Sequence, residues 1–247
     1  MKALVFAAGL GTRLGPLTKE MPKALVPVGG EPMLGRVLRK LQAEGFRDVV
    51  VTACYKADMI ERWLSDNPFP GMSVSLSVEP GPEPYETGGG IKFARPFLDD
   101  GEPFLVHNVD ILSNADLTAF AAGGNVPPAA NPLATLLVTD PRPQDNRFFL
   151  FRPDDLRLAG WTNAATGEVR GNICNPADYR RMSFCGIHMI SPAIFPLLES
   201  WPERFSITDF YIKEAERQPI YGIAAPDLKI IDIGSPETLA EAERALS

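Results

Sequence analysis

The sequence predicts an α/β protein built on a mostly parallel, doubly wound sheet. Three observations predict it. Short apolar runs alternate with amphipathic helical stretches through the first hundred residues. Most of those runs are continuously apolar, as strands covered on both faces are. A glycine-rich turn follows the first of them, at the edge where open α/β sheets receive ligands.

Taken in order, Lys2–Ala7 reads as a buried parallel strand. Pro32 stands at the first position of a helix whose Leu34, Val37, Leu38 and Leu41 recur at helical spacing, and Gly45 closes it as a C-cap. Residues 48–53 are a strand, Met59, Ile60, Trp63 and Leu64 share a helix face, and 73–78 alternate with period two. Residues 90–98 read as helix and 103–107 as strand. The region 124–183 is different. Pro127, Pro128, Pro132, Pro141, Pro143 and Pro153 interrupt short strand candidates at 133–138, 147–151 and 156–161. It reads as an irregular or antiparallel insertion, a candidate lid over the ligand cleft. Regular order returns with a strand at 184–190, helices at 192–198 and 207–217, strands at 220–224 and 228–233, and a closing helix at 236–246. No internal repeat is present, and the chain reads as a single domain, 1–247, with no repeat domain appended.

With 247 residues, 45% hydrophobic and 22% charged, the chain can bury a core without staples. A net charge of −7 argues against nucleic acid as a partner, because that binding needs clustered cations. Small phosphorylated ligands need only a few well-placed ones. Cys54, Cys174 and Cys185 have no CxxC spacing and read as reduced, mostly buried thiols. The apolar N-terminal run is too short for a signal peptide, and no window is long enough to span a membrane, so a cytoplasmic location is expected.

The stretch Ala7-Ala8-Gly9-Leu10-Gly11-Thr12-Arg13-Leu14 carries the most chemistry. Small residues let a backbone approach a ligand closely, and successive N–H groups in such a turn make an anion nest. A dinucleotide fingerprint starting at Gly9 needs Gly at 14, where Leu14 stands, and no Gly-Lys-Ser/Thr of a P-loop occurs. The loop then runs to Val28, far beyond a simple βα turn, and carries Arg13 and Lys23. An arginine fork and a mobile lysine in one long loop suit phosphate oxygens.

Residues 7–18, with Pro22-Lys23-x-Leu25-x-Pro27-Val28, resemble the signature of the sugar-1-phosphate nucleotidyltransferases. The resemblance implies a Rossmann-like, nucleotide-diphospho-sugar transferase fold. It implies NTP and a sugar 1-phosphate as substrates, and Arg13 and Lys23 stabilising the reacting phosphates. The nucleotide is then expected against Ala8, Gly9, Gly11, Thr12, Arg13 and Lys23, against Glu86, Gly88 and Gly89, and against Asn108.

Asp110 and Asp232 each follow an apolar run and project at the ligand edge of the expected parallel sheet. Either alone reads equally as a helix N-cap. With the loop they become a pair of hard oxygen donors suited to Mg²⁺, and the resemblance gives both that role. Val109 stands where the family has Gly, and Ile230 where it has Trp.

In Glu86-Thr87-Gly88-Gly89-Gly90 three glycines precede the expected helix. This run resembles the N-acetylmuramic acid 1-phosphate uridylyltransferases of cell-wall recycling. The Glu-Lys-Pro motif of many hexose-1-phosphate enzymes is absent from 140–180. UTP is therefore the favoured nucleotide, with the glycines leaving room for a bulky sugar substituent and the 124–183 segment as lid or sugar-binding lobe. Mannose 1-phosphate with GTP, phosphocholine with CTP, and a catalytically silent nucleotide-sugar regulator are the alternatives. His107 and His188 read as core histidines, and Trp161 could stack on a sugar. The base, the sugar and the oligomeric state stay open.

Overall fold

The computed structural model describes residues 1–123, 126, 131–225 and 227–246. In chain order the elements are β1 (Lys2–Phe6), α1 (Pro16–Glu20), β2 (Pro27–Val28), β3 (Glu31–Pro32), α2 (Met33–Ala43) and β4 (Asp48–Ala53). Then come α3 (Ala57–Asp66), β5 (Ser73–Val78), α4 (Glu86–Phe93), α5 (Arg95–Leu98), β6 (Phe104–Asn108), β7 (Ile111–Ser113) and α6 (Leu117–Ala121). The second half holds β8 (Ala134–Thr139), β9 (Arg147–Phe151), β10 (Leu158–Asn163), β11 (Val169–Gly171) and β12 (Arg180–Ile190). It closes with α7 (Ile194–Leu198), α8 (Ile207–Glu214), β13 (Ile220–Ala224), β14 (Ile230–Asp232) and α9 (Pro236–Leu246).

The expected parallel sheet is present. β1 lies between β4 and β6, parallel to both, and β5 extends the sheet beyond β4. Helices cover both faces. Ala3, Val5, Val49, Val51 and Leu105 feed the core under α2, α3, α6 and α9. Leu4, Val50, Phe104 and Val106 feed the core under α4, α5, α7 and α8. α2 behaves as its spacing requires, with Leu34, Val37, Leu38 and Leu41 all buried. Each such side chain contributes roughly 1.5–3 kcal/mol of transfer free energy.

The sheet changes character at β12. Its C-terminal residues pair antiparallel with β6 on one edge and with β8 on the other, and β13 runs parallel to β8. Its N-terminal residues 180–182 pair with β9, which leads to β10 and β11. Between the two halves the register shifts at Gly186, whose φ of +70° only glycine adopts cheaply.

Three expectations need correcting. β8 is wholly buried between β12 and β13, so the strand at 134–139 belongs to the main sheet and not to an insertion. The strand itself is expected at 133–138; the prolines around it draw it into the insertion although it has none within it. β9–β11 are antiparallel as expected, and they extend the sheet from β12 as a wall; Pro127 and Pro128 lie outside the described residues. The glycines at 88–90 lie inside α4, not before it. They let α4 press against the segment entering α8. A methyl at Gly88 would run into the Phe205 ring, and one at Gly89 into the Glu203 carbonyl oxygen. Gly88 and Gly89 donate to the Phe205 carbonyl, and Thr87 Oγ1 accepts from Ile207 N at 2.9 Å. Cys174 also departs from expectation, being exposed, while Cys185 is buried.

Both histidines are core residues. His188 Nδ1 meets Tyr211 Oη at 2.6 Å, and His107 Nδ1 meets the Asn108 carbonyl at 2.7 Å. Burial pushes His188 down to about 3 and His107 to about 4.

Gly89→Ala should therefore destabilise the fold by about 1–3 kcal/mol through overpacking, read as a lower urea midpoint with an unchanged slope. The histidines give a second expectation. A base whose pKa is lower folded than unfolded stabilises fully above about 6.5, and that stability drains as pH falls towards the folded pKa. From pH 6 to 5, His188→Gln should flatten the fall in unfolding free energy by about 1 kcal/mol per pH unit, as urea titrations at each pH would measure.

Candidate active site

A cleft of about 460 Å³ opens at the carboxyl ends of β1, β4, β5 and β6. Its floor is the loop after β1. Ala7 N donates to Thr52 Oγ1 at 3.1 Å, which ties the loop's start to the end of β4. Gly11 takes φ +63°, and a methyl there would lie 2.8 Å from Lys23 Cβ and 2.9 Å from Thr18 Cγ2. Thr18 Oγ1 sits 3.2 Å from the Gly11 and Gly15 carbonyls. Thr12–Leu14 form a single 3₁₀ turn, anchored by buried Leu14, so Arg13 projects outward. The outgoing and returning legs of the long loop are thus packed side by side.

Lys23, on the returning leg, is 8% exposed, and its Nζ donates to Asp110 Oδ2. Asp110 stands two residues beyond β6, after Val109, which is buried and whose N donates to the Phe6 carbonyl at 3.2 Å. Val109 does not adopt a positive φ, so the backbone here does not demand glycine.

Asp232 reaches the same place by a different route from the one expected. It is not on the parallel sheet. β14 pairs antiparallel with β7, with Asp232 opposite Ile111, and Ile233 N donates to the Asp110 carbonyl at 2.8 Å. This small ribbon sets the two carboxylates side by side. Asp232 is open to solvent, yet the protein packed about it, and then the Asp110 charge, raise its pKa against the pull of Lys23, Arg13 and Arg142. Asp232 lines an adjoining pocket of about 250 Å³ that shares Arg13 and Gly234 with the main cleft. The Arg13 guanidinium lies close over Gly234, where a methyl would stand 2.7 Å from Nη2. Arg13 has no ion-pair partner among the described residues.

The paired carboxylates fit a hard divalent cation. Two oxygen donors beside a phosphate cleft, with like-charge repulsion between them, are what Mg²⁺ accepts when phosphate and water complete its shell. No cluster of three or more His, Cys, Asp or Glu side chains suited to a metal occurs among the described residues, so an ion held by these two carboxylates would take its remaining ligands from phosphate oxygens and water.

Of the residues singled out from the sequence, Ala8, Gly9, Gly11, Thr12, Arg13, Lys23, Glu86, Asn108 and Asp110 line the cleft together. Gly88 and Gly89 do not; they are buried beneath Phe205 and the Glu203 backbone. Glu86 has the left-handed φ of +61°, a strained conformation for a non-glycine residue, and Arg204 spans it (3.3 Å) and Glu83 across the rim. Sequence reasoning gave no site role to Glu79, which is 3% exposed and accepts from Tyr85 N at 2.7 Å. Burial raises its pKa, and the Tyr85 hydrogen bond tempers the rise. The signal was there: Glu79 follows a strand, as Asp110 does.

A second cavity, about 490 Å³, adjoins the cleft through Ser206. β9, β10 and β12 wall it with Phe149, Trp161 and Phe184, and the Arg170 guanidinium lies 5.8 Å over the Trp161 ring.

The family model described as Nucleotidyl transferase matches residues 2–148, which contain the loop, Lys23, Glu86 and Asp110. The chain belongs to that family. It is an enzyme of the nucleotidyltransferase class. The N-acetylmuramate alpha-1-phosphate uridylyltransferase of Caulobacter vibrioides is 40% identical over 99% of this chain and 96% of its own length. The D-glycero-alpha-D-manno-heptose 1-phosphate guanylyltransferase of Aneurinibacillus thermoaerophilus is 30% identical over 100% and 98%. Among solved structures, HddC from Yersinia pseudotuberculosis complexed with GMP-PN superposes with a TM-score of 0.77, covering 100% of this chain and 99% of that one at 23% identity, a likeness of fold. No helix among the described residues is long and apolar enough to cross a membrane.

Gly11 offers a test of the loop in this nucleotidyltransferase. Gly11→Ala adds a methyl against Lys23 and Thr18 in a left-handed backbone, so the loop must shift. Activity should fall about 10²-fold, the cost of displacing a positioning group by about an ångström, while stability falls by only about 1–2 kcal/mol. Steady-state kinetics beside thermal melts would check both.

Proposed function

We propose that the enzyme transfers a uridylyl group from UTP to N-acetylmuramic acid 1-phosphate, in the cytoplasm, as a step of cell-wall recycling. The observation that carries the transferase chemistry is the convergence of Arg13, Lys23, Asp110 and Asp232 on the loop-floored cleft. What supports the acceptor is the extent of likeness to the Caulobacter uridylyltransferase, over nearly all of both chains. Gly88 and Gly89 leave no room for a bulky sugar substituent, because Phe205 and Glu203 pack against them.

The acceptor's phosphate is already an anionic nucleophile, so no base of unusual pKa is needed. One of its oxygens forms a bond to the α-phosphorus in line with the leaving group. The bond from that phosphorus to the bridging oxygen breaks, and the electron pair leaves with pyrophosphate. The difficulty is electrostatic, since two polyanions must meet. In this reading the Ala8–Arg13 backbone receives the triphosphate, and Arg13 and Lys23 balance charge gathering on the departing pyrophosphate. Lys23 is held by Asp110 until it does so. Asp110 and Asp232 would hold Mg²⁺, whose chemistry is to neutralise α-phosphate charge and align the reactants.

The likeness to the Aneurinibacillus guanylyltransferase supports a second reading, with GTP and a different sugar 1-phosphate. A pyrophosphate-release assay over UTP, GTP and CTP with a panel of sugar 1-phosphates separates the two. UTP should lead by at least about tenfold in kcat/KM, as expected where wrong bases leave buried polar groups unpaired, and excess EDTA should abolish turnover. A tenfold preference for GTP ends the uridylyl reading, and full activity in EDTA ends the metal assignment.

A further inference from the structure

An acceptor phosphate brings a second anion to a cleft whose two loop cations are engaged by the triphosphate, so it needs a cation of its own. We propose that Arg142 is that cation: it binds the phosphate of the acceptor, while Asp145 and Ser183 are positioning residues that hold its guanidinium in place. This rests on the reading of the enzyme as a sugar-1-phosphate transferase and deepens it.

Arg142 stands where the two ends of the reaction meet. It lines the aromatic-walled cavity of about 490 Å³ and also the pocket of about 250 Å³ that contains Asp232 and Arg13. Its charge and that of Asp232 act on one another. The other cations of the larger cavity do not reach that pocket. Arg170 is paired with Asp209 at 2.7 Å and lies over Trp161. Arg147 is exposed at the start of β9. A phosphate bound by Arg142 can therefore sit beside Asp232 while its sugar occupies the cavity walled by Phe149, Trp161 and Phe184.

The side chain is fixed in advance. Arg142 Nε and Nη2 donate to Asp145 Oδ2 and Oδ1, each at 3.0 Å, and Arg142 N donates to Oδ2 at 3.1 Å. Ser183 Oγ, from β12, donates to the same Oδ2 at 2.5 Å. Burial alone would raise the Asp145 pKa, but the Arg142 and Ser183 hydrogen bonds bring it below the usual range, so the pair stays ionised. Asp145 grips the guanidinium by its side edge, which leaves both Nη1 protons and one Nη2 proton without a hydrogen-bond partner among the described residues. Those protons form the end-on fork that matches two phosphate oxygens. Asp145 fixes the orientation of the guanidinium, so its free donors have little rotamer entropy left to lose when they meet a phosphate.

The test is steady-state kinetics of R142Q and R142K against at least three sugar 1-phosphates, one bearing a carboxylate and two without. Both variants should raise KM for every acceptor by about 10- to 100-fold, the loss of charge-assisted hydrogen bonds. KM for the NTP should stay within about twofold; some loss of melting temperature is expected from unpairing Asp145, so both variants are assayed at a temperature where circular dichroism shows them folded. R142K keeps the charge but not the fork, so a fully active R142K overturns the bidentate assignment. A loss confined to the carboxylate-bearing acceptor overturns it too, since Arg142 would then read the sugar. Unchanged acceptor KM in R142Q, with wild type turning over the panel, overturns this inference alone. A wild type that accepts no sugar 1-phosphate overturns the reading beneath it as well.

Discussion

The ion pair between Lys23 and Asp110 sets the distance between the loop after β1 and the end of β6, and the rest of the cleft is arranged around that separation. A lysine ammonium this buried needs a partner, because desolvating an unpaired charge is costly. Gly11 is glycine for two reasons, its left-handed backbone and the Lys23 and Thr18 side chains that occupy the space a Cβ would need. Val109 N reaches the Phe6 carbonyl, so β1 and the turn carrying Asp110 are locked to each other. Loop, lysine and carboxylate therefore form one connected unit.

Opposing charges are balanced throughout the site. Asp110 faces Lys23, Asp145 faces Arg142, and Asp232 is left to feel several cations at once. Arg13 lies over the bare backbone of Gly234 with no ion-pair partner among the described residues. A site organised this way meets anions with groups already in position, which is where electrostatic catalysis gains most.

Much of this was legible in the sequence, for physical reasons. β1, β4 and β6 are buried on both faces, so they read as continuous apolar runs, and α2 shows its one apolar stripe. The nest and its two cations lie within one local stretch, and local chemistry is what a sequence displays. The misreadings share the opposite property. β14 is three residues long and finds its partner, β7, more than a hundred residues away, so the route of Asp232 to Asp110 could not be read from spacing. β8 was legible as a strand, but its partners β12 and β13 lie far along the chain, so the surrounding prolines made it look like part of an insertion. Gly88 and Gly89 looked like ligand space because glycine records closeness without saying to what; here it is Phe205 and Glu203. Arg142 and Asp145 lie in the proline-rich stretch, and only the fold brings Ser183 and Asp232 to them.

β12 carries a consequence for how such an enzyme can change. Its C-terminal residues are built into the parallel half through β6, while residues 180–182 support β9, and through it β10 and β11. The β9–β11 wall makes no strand pairing with β1, β4, β5 or β6. Substitutions in that wall can reshape the Trp161 cavity without disturbing the register that holds Asp110 against Lys23. The scaffold thus separates what must stay constant from what can diverge. A lineage can acquire a new acceptor by rebuilding one edge of the sheet, and inherit the nucleotide chemistry intact.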